Sequence, residues 1–380
     1  MIICKRCIYD ERVSGISFDD EGICNYCRQV ESLETQYGTG QPTGEAMLSQ
    51  IIKEIKSKGK NNPYNCVVGV SGGTDSSYLL MKSVEWGLRP LAVHYDNTWN
   101  SAVATENIRK ITSALNVDLY THVVDNKEVD DIKKSFLLAG VPEFDADTDI
   151  AFVQVLRSAA AKYGVSYILE GHSFKAEGLT PVGVNYLDGG YVADIHDHFG
   201  SQKRHTFPNM TFWQFMKWVL IYRQKFIRPL WYIAYDKEKA REALIKKTCW
   251  TYYGGHHLEN RSSRFAHTVW LPIRFNIDYR NLTLAASVRA GKLTREQALS
   301  IYQTPIEADP ELISYVKKRL SFSDKEFDQV MQGVKRSFRD FRTYKKRFEL
   351  LRPLFYVLAK ANLVPMSFYL KYCFPIRSNK

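Results

Sequence analysis

The chain has 380 residues, 45% apolar and 13% aromatic, with a formal charge of +11 and seven cysteines. That length allows two domains, or one large domain with an appendage, and no stretch is apolar enough to span a bilayer. The positive charge suits an anionic partner: nucleic acid, an anionic membrane surface or a nucleotide-linked substrate. Met1-Ile2-Ile3 runs directly into Cys4 without a signal-peptide pattern, so a cytoplasmic protein is expected.

Four of the cysteines form two pairs, Cys4-x-x-Cys7 and Cys24-x-x-Cys27, sixteen residues apart. In a reducing compartment this clustering points to a metal and not to disulfides. Four soft ligands suit tetrahedral zinc in a structural role, because none is left for chemistry. An iron–sulfur cluster and a redox dithiol are the alternatives. The intervening Ile16–Gly22 reads as a strand and tight turn, which makes residues 1–35 a zinc-ribbon-like module. A helix capped by Thr43 and running through Lys58 follows, then a basic linker.

The region 60–260 reads as a nucleotide domain. Val67 to Val70 is a β-branched apolar run, followed by Ser71-Gly72-Gly73-Thr74-Asp75-Ser76-Ser77 and then a helical segment. That order is a buried strand, a tight turn and a helix N-terminus, where unpaired N–H groups and the helix dipole bind phosphate. Asp75 is unusual at an anion site and suggests a nucleotide–metal complex with Mg²⁺. No lysine completes a Walker A loop, and G-x-G-x-x-G is absent.

Further strands are expected at Pro90–Asn97, Leu119–Val124 and Val165–Ser173, alternating with helices at 101–115, 130–138 and 150–163. The alternation implies one parallel sheet with ligands at its carboxyl ends. That places His94, Asp96, Asn97, Gly171 and His172 beside the turn, with Lys175 and Glu177 the nearest charges downstream. For His94 a packed strand-end role stands equal to ligand binding, and for Lys175 and Glu177 surface charge stands equal to catalysis. Asp145 and Asp147 are read as helix caps. Residues 178–208 read as an irregular loop in which His196 and His198 are solvated, with a second metal at the two histidines as the alternative. Residues 211–225 read as an aromatic helix.

Ser71-Gly72-Gly73-Thr74-Asp75-Ser76 after a strand resembles the PP-loop of the ATP pyrophosphatases. The resemblance implies an adenine nucleotide alpha hydrolase-like fold that binds ATP through Val70, Ser71, Gly72, Gly73, Thr74, Asp75, Ser76, Ser77, Val93, His94, Asp96, Gly171 and His172. Asp75, Ser76, Lys175 and Glu177 become the catalytic candidates. Lys175 would neutralise departing pyrophosphate, and Glu177 would orient a nucleophile or substrate.

Downstream, Tyr252-Tyr253-Gly254-Gly255-His256-His257 leads to Arg261 and Arg264. Imidazoles, arginines and aromatics side by side suit a polar anionic ligand. The series of cysteine pairs, PP-loop, Glu170-Gly171-His172 and this segment resembles the bacterial N-acetyl sugar amidotransferases of surface-polysaccharide and nonulosonic-acid pathways. The resemblance implies an ATP-dependent exchange of an N-acetyl oxygen for nitrogen, with His256, His257, Arg261 and Arg264 holding an N-acetylated sugar nucleotide or nonulosonic acid. It also implies a separate glutaminase subunit supplying ammonia, since Cys4 and Cys7 are committed to metal and no cysteine opens the chain.

Two other readings use the same turn. A tRNA-thiolating enzyme would need a sulfur-carrying cysteine, for which Cys249 is the candidate. A non-catalytic adaptor would bind nucleotide and release no pyrophosphate. Residues 261–380 are expected to form a helical C-terminal region. Its helix–turn–helix at 281–303 has a capping box at Thr294–Gln297, and DNA binding is not expected. Residues 335–380 are basic and aromatic, suited to docking on the protein body or, alternatively, to peripheral membrane contact.

Overall fold

The computed structural model describes residues 2–181, 185–255 and 259–375. Five parallel strands form one sheet in the order β3-β2-β1-β4-β5. They are β1 (Cys66–Gly69), β2 (Pro90–Asp96), β3 (Leu119–Val123), β4 (Tyr167–Leu169) and β5 (Lys225–Ile227). Val68 pairs with Ala92 on one side and Leu169 on the other, so β1 is the centre. The chain builds outward through β2 and β3, then crosses β1 to lay down β4. That reversal leaves a crevice at the carboxyl ends of β1 and β4, where open α/β sheets bind ligands. β1 is fully buried, as its apolar run requires. β5 is not expected from the sequence, where Lys225 closes the helix read over 211–225; it is an edge strand of three residues, half-buried.

The helices on the two faces follow their caps. Ser101 accepts from the Ala104 N–H, and Asp125 from Lys127 and Glu128. Several expectations shift. Residues 189–199 form a regular helix, not a loop, and its His196 is buried with Nε2 2.8 Å from Asp131. The helix Ala146–Lys162 begins four residues before its expected start. Asp145 precedes it without making a cap bond; its carboxylate instead meets the buried Lys133, 2.8 Å away. Pro42, not a Thr43 cap, opens the helix Pro42–Lys58.

The amino-terminal module has less strand than a ribbon. Ile16–Gly22 contributes a single antiparallel bridge, Phe18 with Cys24, and the second cysteine pair opens the helix Asn25–Tyr37. The module sits on the helix pair Arg280–Arg289 and Arg295–Gln303. Leu284, Ala285 and Ala298 pack against its core, and Arg295 Nε donates to the carbonyls of Cys4 and Cys7 at 2.9 and 3.2 Å. The helix–turn–helix shape is thus a docking platform.

Residues 261–330 do not build a core of their own. Phe265, Trp270, Leu312 and Phe327 share one core with Val67, Val93 and Ile168 of the sheet. Beyond them, residues 345–373 fold back on the helix Phe212–Leu220 in a smaller aromatic cluster. Among the described residues no helix is long and apolar enough to cross a membrane.

Candidate active site

The turn after β1 is shaped by close backbone approaches. Val70 N donates to Val93 O at 2.9 Å, which ties the turn to β2. Gly72 has φ +80°, and a Cβ there would lie 2.3 Å from the Ala104 carbonyl, so only glycine fits. A Cβ on Gly171 would come within 3.0 Å of the Asp75 backbone, so the end of β4 lies directly against the turn. Trp250 Nε1 and Asn107 Nδ2 both donate to Gly72 O, at 3.0 and 3.3 Å, and hold the turn from behind. The helix Thr74–Glu85 starts at Gly73 with no side-chain cap. Ser76 Oγ folds back to accept from Ser71 N at 3.3 Å, and Ser71 Oγ accepts from Gly73 N at the same distance. Ser77 Oγ is buried without a hydrogen-bond partner among the described residues.

Asp75 is held from the far side of the crevice. Lys237 Nζ donates to its Oδ2 at 2.6 Å and the Tyr235 hydroxyl to its Oδ1. Burial pushes the Asp75 carboxyl up, but the ammonium and hydroxyl outweigh it and hold it below the usual carboxylate range. Burial lowers Lys237, and Asp75 with Glu177 raise it further, so it stays charged. Glu177 Oε1 is 3.7 Å from the same Nζ. On the other side of Glu177, His172 Nε2 is 3.9 Å away, while His172 Nδ1 accepts from Trp231 Nε1 at 3.3 Å. Burial, then the Arg228 guanidinium, lower the imidazole to about 4, so it is neutral at neutral pH. With Nδ1 accepting, the proton sits on Nε2, facing Glu177. Asp75, Lys237 and Glu177 therefore form one charged line along the crevice, with the neutral imidazole of His172 at its end.

The other expected residues are placed as follows. His94 is buried; its Nδ1 is 2.9 Å from Val70 O and its Nε2 3.1 Å from Asn100 Nδ2. A carbonyl on one nitrogen and an amide donor on the other require a neutral ring, and burial lowers its pKa accordingly. His94 thus ties strand to turn. Val93 is fully buried, with its carbonyl taken by Val70. Asp96 Oδ1 accepts from Thr98 N at 2.8 Å. Lys175, expected at the pyrophosphate, is 2.7 Å from Glu34 of the amino-terminal module, so it joins the two units. Arg264 pairs with Asp309 at 2.9 Å, and Arg261 lies over the Tyr315 ring. His256 and His257 lie outside the described residues.

Lys237, Tyr235 and Asn107 were not foreseen, and Trp250 and Tyr253 were foreseen only as part of an aromatic segment suited to a polar anionic ligand. Lys237 follows the helix cap Asp236, which accepts from Glu238 N and Lys239 N. A residue just after a cap stands at a helix start, but no local pattern directs that start to Asp75, 162 positions back.

The four amino-terminal thiols meet. Cys4 Sγ is 3.9 Å from Cys27 Sγ and Cys7 Sγ 3.8 Å from Cys24 Sγ, and all four lie within 4.8 Å of one another. Four sulfurs about 2.3 Å from one tetrahedral ion stand about 3.8 Å apart, so the set fits a single ion. Backbone N–H groups of Arg6, Tyr9 and Cys24 point at these sulfurs, as thiolate ligands require.

Residues 259–354 match a family model described as LPS biosynthesis protein WbpG-like, C-terminal domain. An uncharacterized protein of Methanocaldococcus jannaschii is 24% identical over 171 residues, which is 44% of this chain; the chain spans 58% of that relative's length. Among solved structures, NMN synthetase from Francisella tularensis is 12% identical with a TM-score of 0.34, covering 74% of this chain and 95% of its own. The tRNA thiolase NcsA from Methanococcus maripaludis, with its 4Fe–4S cluster, is 11% identical with a TM-score of 0.34, over 85% and 99%. At such scores the fold argument rests on the sheet order and turn described above.

The WbpG-like stretch begins against the turn after β1. A Cβ on Gly73 would stand 3.2 Å from Glu259 Oε1 and 3.1 Å from the Tyr253 hydroxyl, so both side chains cover the turn. Asn260 Nδ2 donates to Asn97 Oδ1 at 3.0 Å and Asn100 Oδ1 at 2.9 Å, bolting the stretch to the carboxyl end of β2. Next to it, Ser262 Oγ donates to Asp145 Oδ1 at 2.7 Å.

Proposed function

We propose that the chain is an ATP-dependent N-acetyl sugar amidotransferase of surface-polysaccharide or nonulosonic-acid biosynthesis. The observation that carries this reading is the junction at Gly73. The first residue of a WbpG-like, LPS-associated stretch lies over a glycine–serine turn built for phosphate.

ATP would lie with its phosphates on the N–H groups of Ser71 to Ser77. Asp75 and Glu177 would hold Mg²⁺, which supplies charge neutralisation on those phosphates. Lys237 is positioned to meet negative charge developing on pyrophosphate, the role first expected of Lys175. The substrate's amide oxygen attacks the α-phosphorus and the α–β bridging oxygen leaves with pyrophosphate. Ammonia then adds to the imidoyl carbon, AMP departs with the former amide oxygen, and a proton is lost to leave an acetamidino group. The fold's contribution is mainly alignment and charge stabilisation. Ammonia would come from a separate glutaminase subunit, and the Cys4, Cys7, Cys24, Cys27 site would hold structural zinc.

The test is mass spectrometry of a reaction containing ATP, Mg²⁺, an ammonium salt and a panel of N-acetylated sugar nucleotides and nonulosonic acids. A product lighter by about one mass unit, formed together with AMP and pyrophosphate, is expected. Sulfur entering tRNA, abolished by Cys249→Ser, would replace this reading with thiolation; Cys249 is exposed, whereas Cys66 is buried at the wrong end of β1.

A further inference from the structure

All of the chain's net positive charge lies in two segments distant in sequence. Residues 198–235 hold six lysines and arginines and no acid; residues 341–380 hold nine and a single acid, Glu349. The two together exceed the +11 of the whole protein. They are brought side by side by the aromatic cluster of Phe212, Phe215, Phe348, Phe355 and Phe368. Glu349 is 3.4 Å from Lys345, which leaves no acid of the tail unopposed.

The outer side of this unit is apolar. On the helix Phe212–Leu220, Trp213 is 74% exposed, and Ile221 just beyond it is 71% exposed. Opposite them, Leu350 is 81% and Val357 61% exposed, and Leu354, Tyr356, Met366 and Leu370 are also exposed. Leu350 ends the helix Lys345–Leu350, and Leu354 and Val357 lie on the outer side of the next helix, Arg352–Lys360, whose Phe355 and Leu358 face inward. Cations are interspersed among them. Lys217, Arg223, Lys346, Arg347, Arg352 and Lys360 form no ion pair among the described residues. Arg347 lies over Phe212, whose ring touches Trp213, so the cations of the tail stand beside the exposed indole.

We propose that this two-segment face docks on an anionic lipid surface, with Trp213, Leu350 and Val357 entering the headgroup region and Lys346 and Arg347 meeting lipid phosphates. Charge complementarity decides the occupant. The centre of a protein interface is depleted in lysine, and three of the six cations here, Lys217, Lys346 and Lys360, are lysines. An anionic leaflet attracts each nearby Lys or Arg and accepts aliphatic and indole side chains between them. Lysine and arginine stems bury alongside the apolar residues while their heads stay wet. The face needs neither nucleotide nor sugar, so its failure and that of the proposed reaction are separable.

Flotation of the full chain with vesicles of phosphatidylcholine, with and without phosphatidylglycerol, tests it. Binding is expected to the phosphatidylglycerol vesicles, to fall with added salt, and to drop about tenfold or more in Lys346→Glu/Arg347→Glu. Trp213→Ser/Leu350→Ser should weaken binding in low salt as well, and both variants should keep the native circular dichroism and ATP consumption. No flotation at low salt, or equal flotation by the variants, would overturn the proposal. So would a dimer or a tight glutaminase complex that buries Trp213 and persists in excess vesicles.

Discussion

Two lysine–aspartate clusters lie on opposite flanks of the same β-strand ends, and they behave differently. In the crevice, Lys237 meets Asp75 with both side chains still 16–18% exposed, and Glu177 stands within reach of the same ammonium. Under β2, Lys133 meets Asp145 at 2.8 Å and Asp147 at 3.0 Å, with Lys133 and Asp147 wholly buried. The second cluster is crowded with its own hydroxyls: Thr148 accepts from Lys133 at 3.2 Å, and Ser262 and Ser263 donate to Asp145. Its charges serve to join the helix Asn126–Ala139, the helix Ala146–Lys162 and the start of the WbpG-like stretch. The first cluster keeps part of its charged surface exposed at the crevice, which is what a site that exchanges ligands would need. The same ion pair is a brace when saturated and a binding element when left partly open.

The sharpest way to break this contrast is Lys133→Met. It leaves two buried carboxylates without a cation, and a loss of about 3–5 kcal/mol is expected in denaturant unfolding. If Lys133→Met is as stable as the parent, the cluster is no brace. Asp75→Asn should do the reverse: an unfolding midpoint near that of the parent, with AMP formation lower by about 100-fold or more. Normal AMP formation in that variant would remove the crevice from the chemistry.

Asp147 offers a gentler test. Burial, against the pull of Lys133, raises its carboxyl to about 6 in the folded chain. A raised acid binds its proton more tightly when folded. Its contribution is therefore full below the unfolded value near 4 and is lost as pH rises through about 6, by at most about 3 kcal/mol. Stability measured across that window should fall with rising pH, and Asp147→Asn should flatten the slope. Smallest of all, Tyr235→Phe removes one hydroxyl from Asp75. A cost of about 1 kcal/mol, read as a several-fold drop in AMP formation, is expected, with little change in stability.

Much of the sheet is legible along the chain. β1, β2 and β3 come from continuous apolar or alternating runs with helices between them, and these patterns are local. β5 escapes because three residues at an edge carry little periodicity. Residues 189–199 escape because the flanking glycines hide a helix whose cap, Asp188, accepts from Tyr191 N. In the site, Ser71 to Ser77 and Gly171 are recognisable because backbone closeness demands small residues there. Asp145 could not be separated from a helix cap, since a carboxylate before a helix looks the same whether it accepts N–H groups or a lysine twelve residues upstream.

The sequence by itself determined the glycine–serine turn, the paired cysteines, the strand–helix alternation and the basic aromatic tail. Each depends on neighbours within a few residues, where steric limits and periodicity act directly. Tertiary structure alone decided that Lys237 and not Lys175 faces Asp75, that His94 is tied to Val70, that Glu259 covers Gly73, and that the tail shares a face with Trp213. Those outcomes depend on strand order and on which buried groups find partners, and both are settled only when separate segments pack together, 24 residues apart for His94 and Val70 and 162 for Lys237 and Asp75.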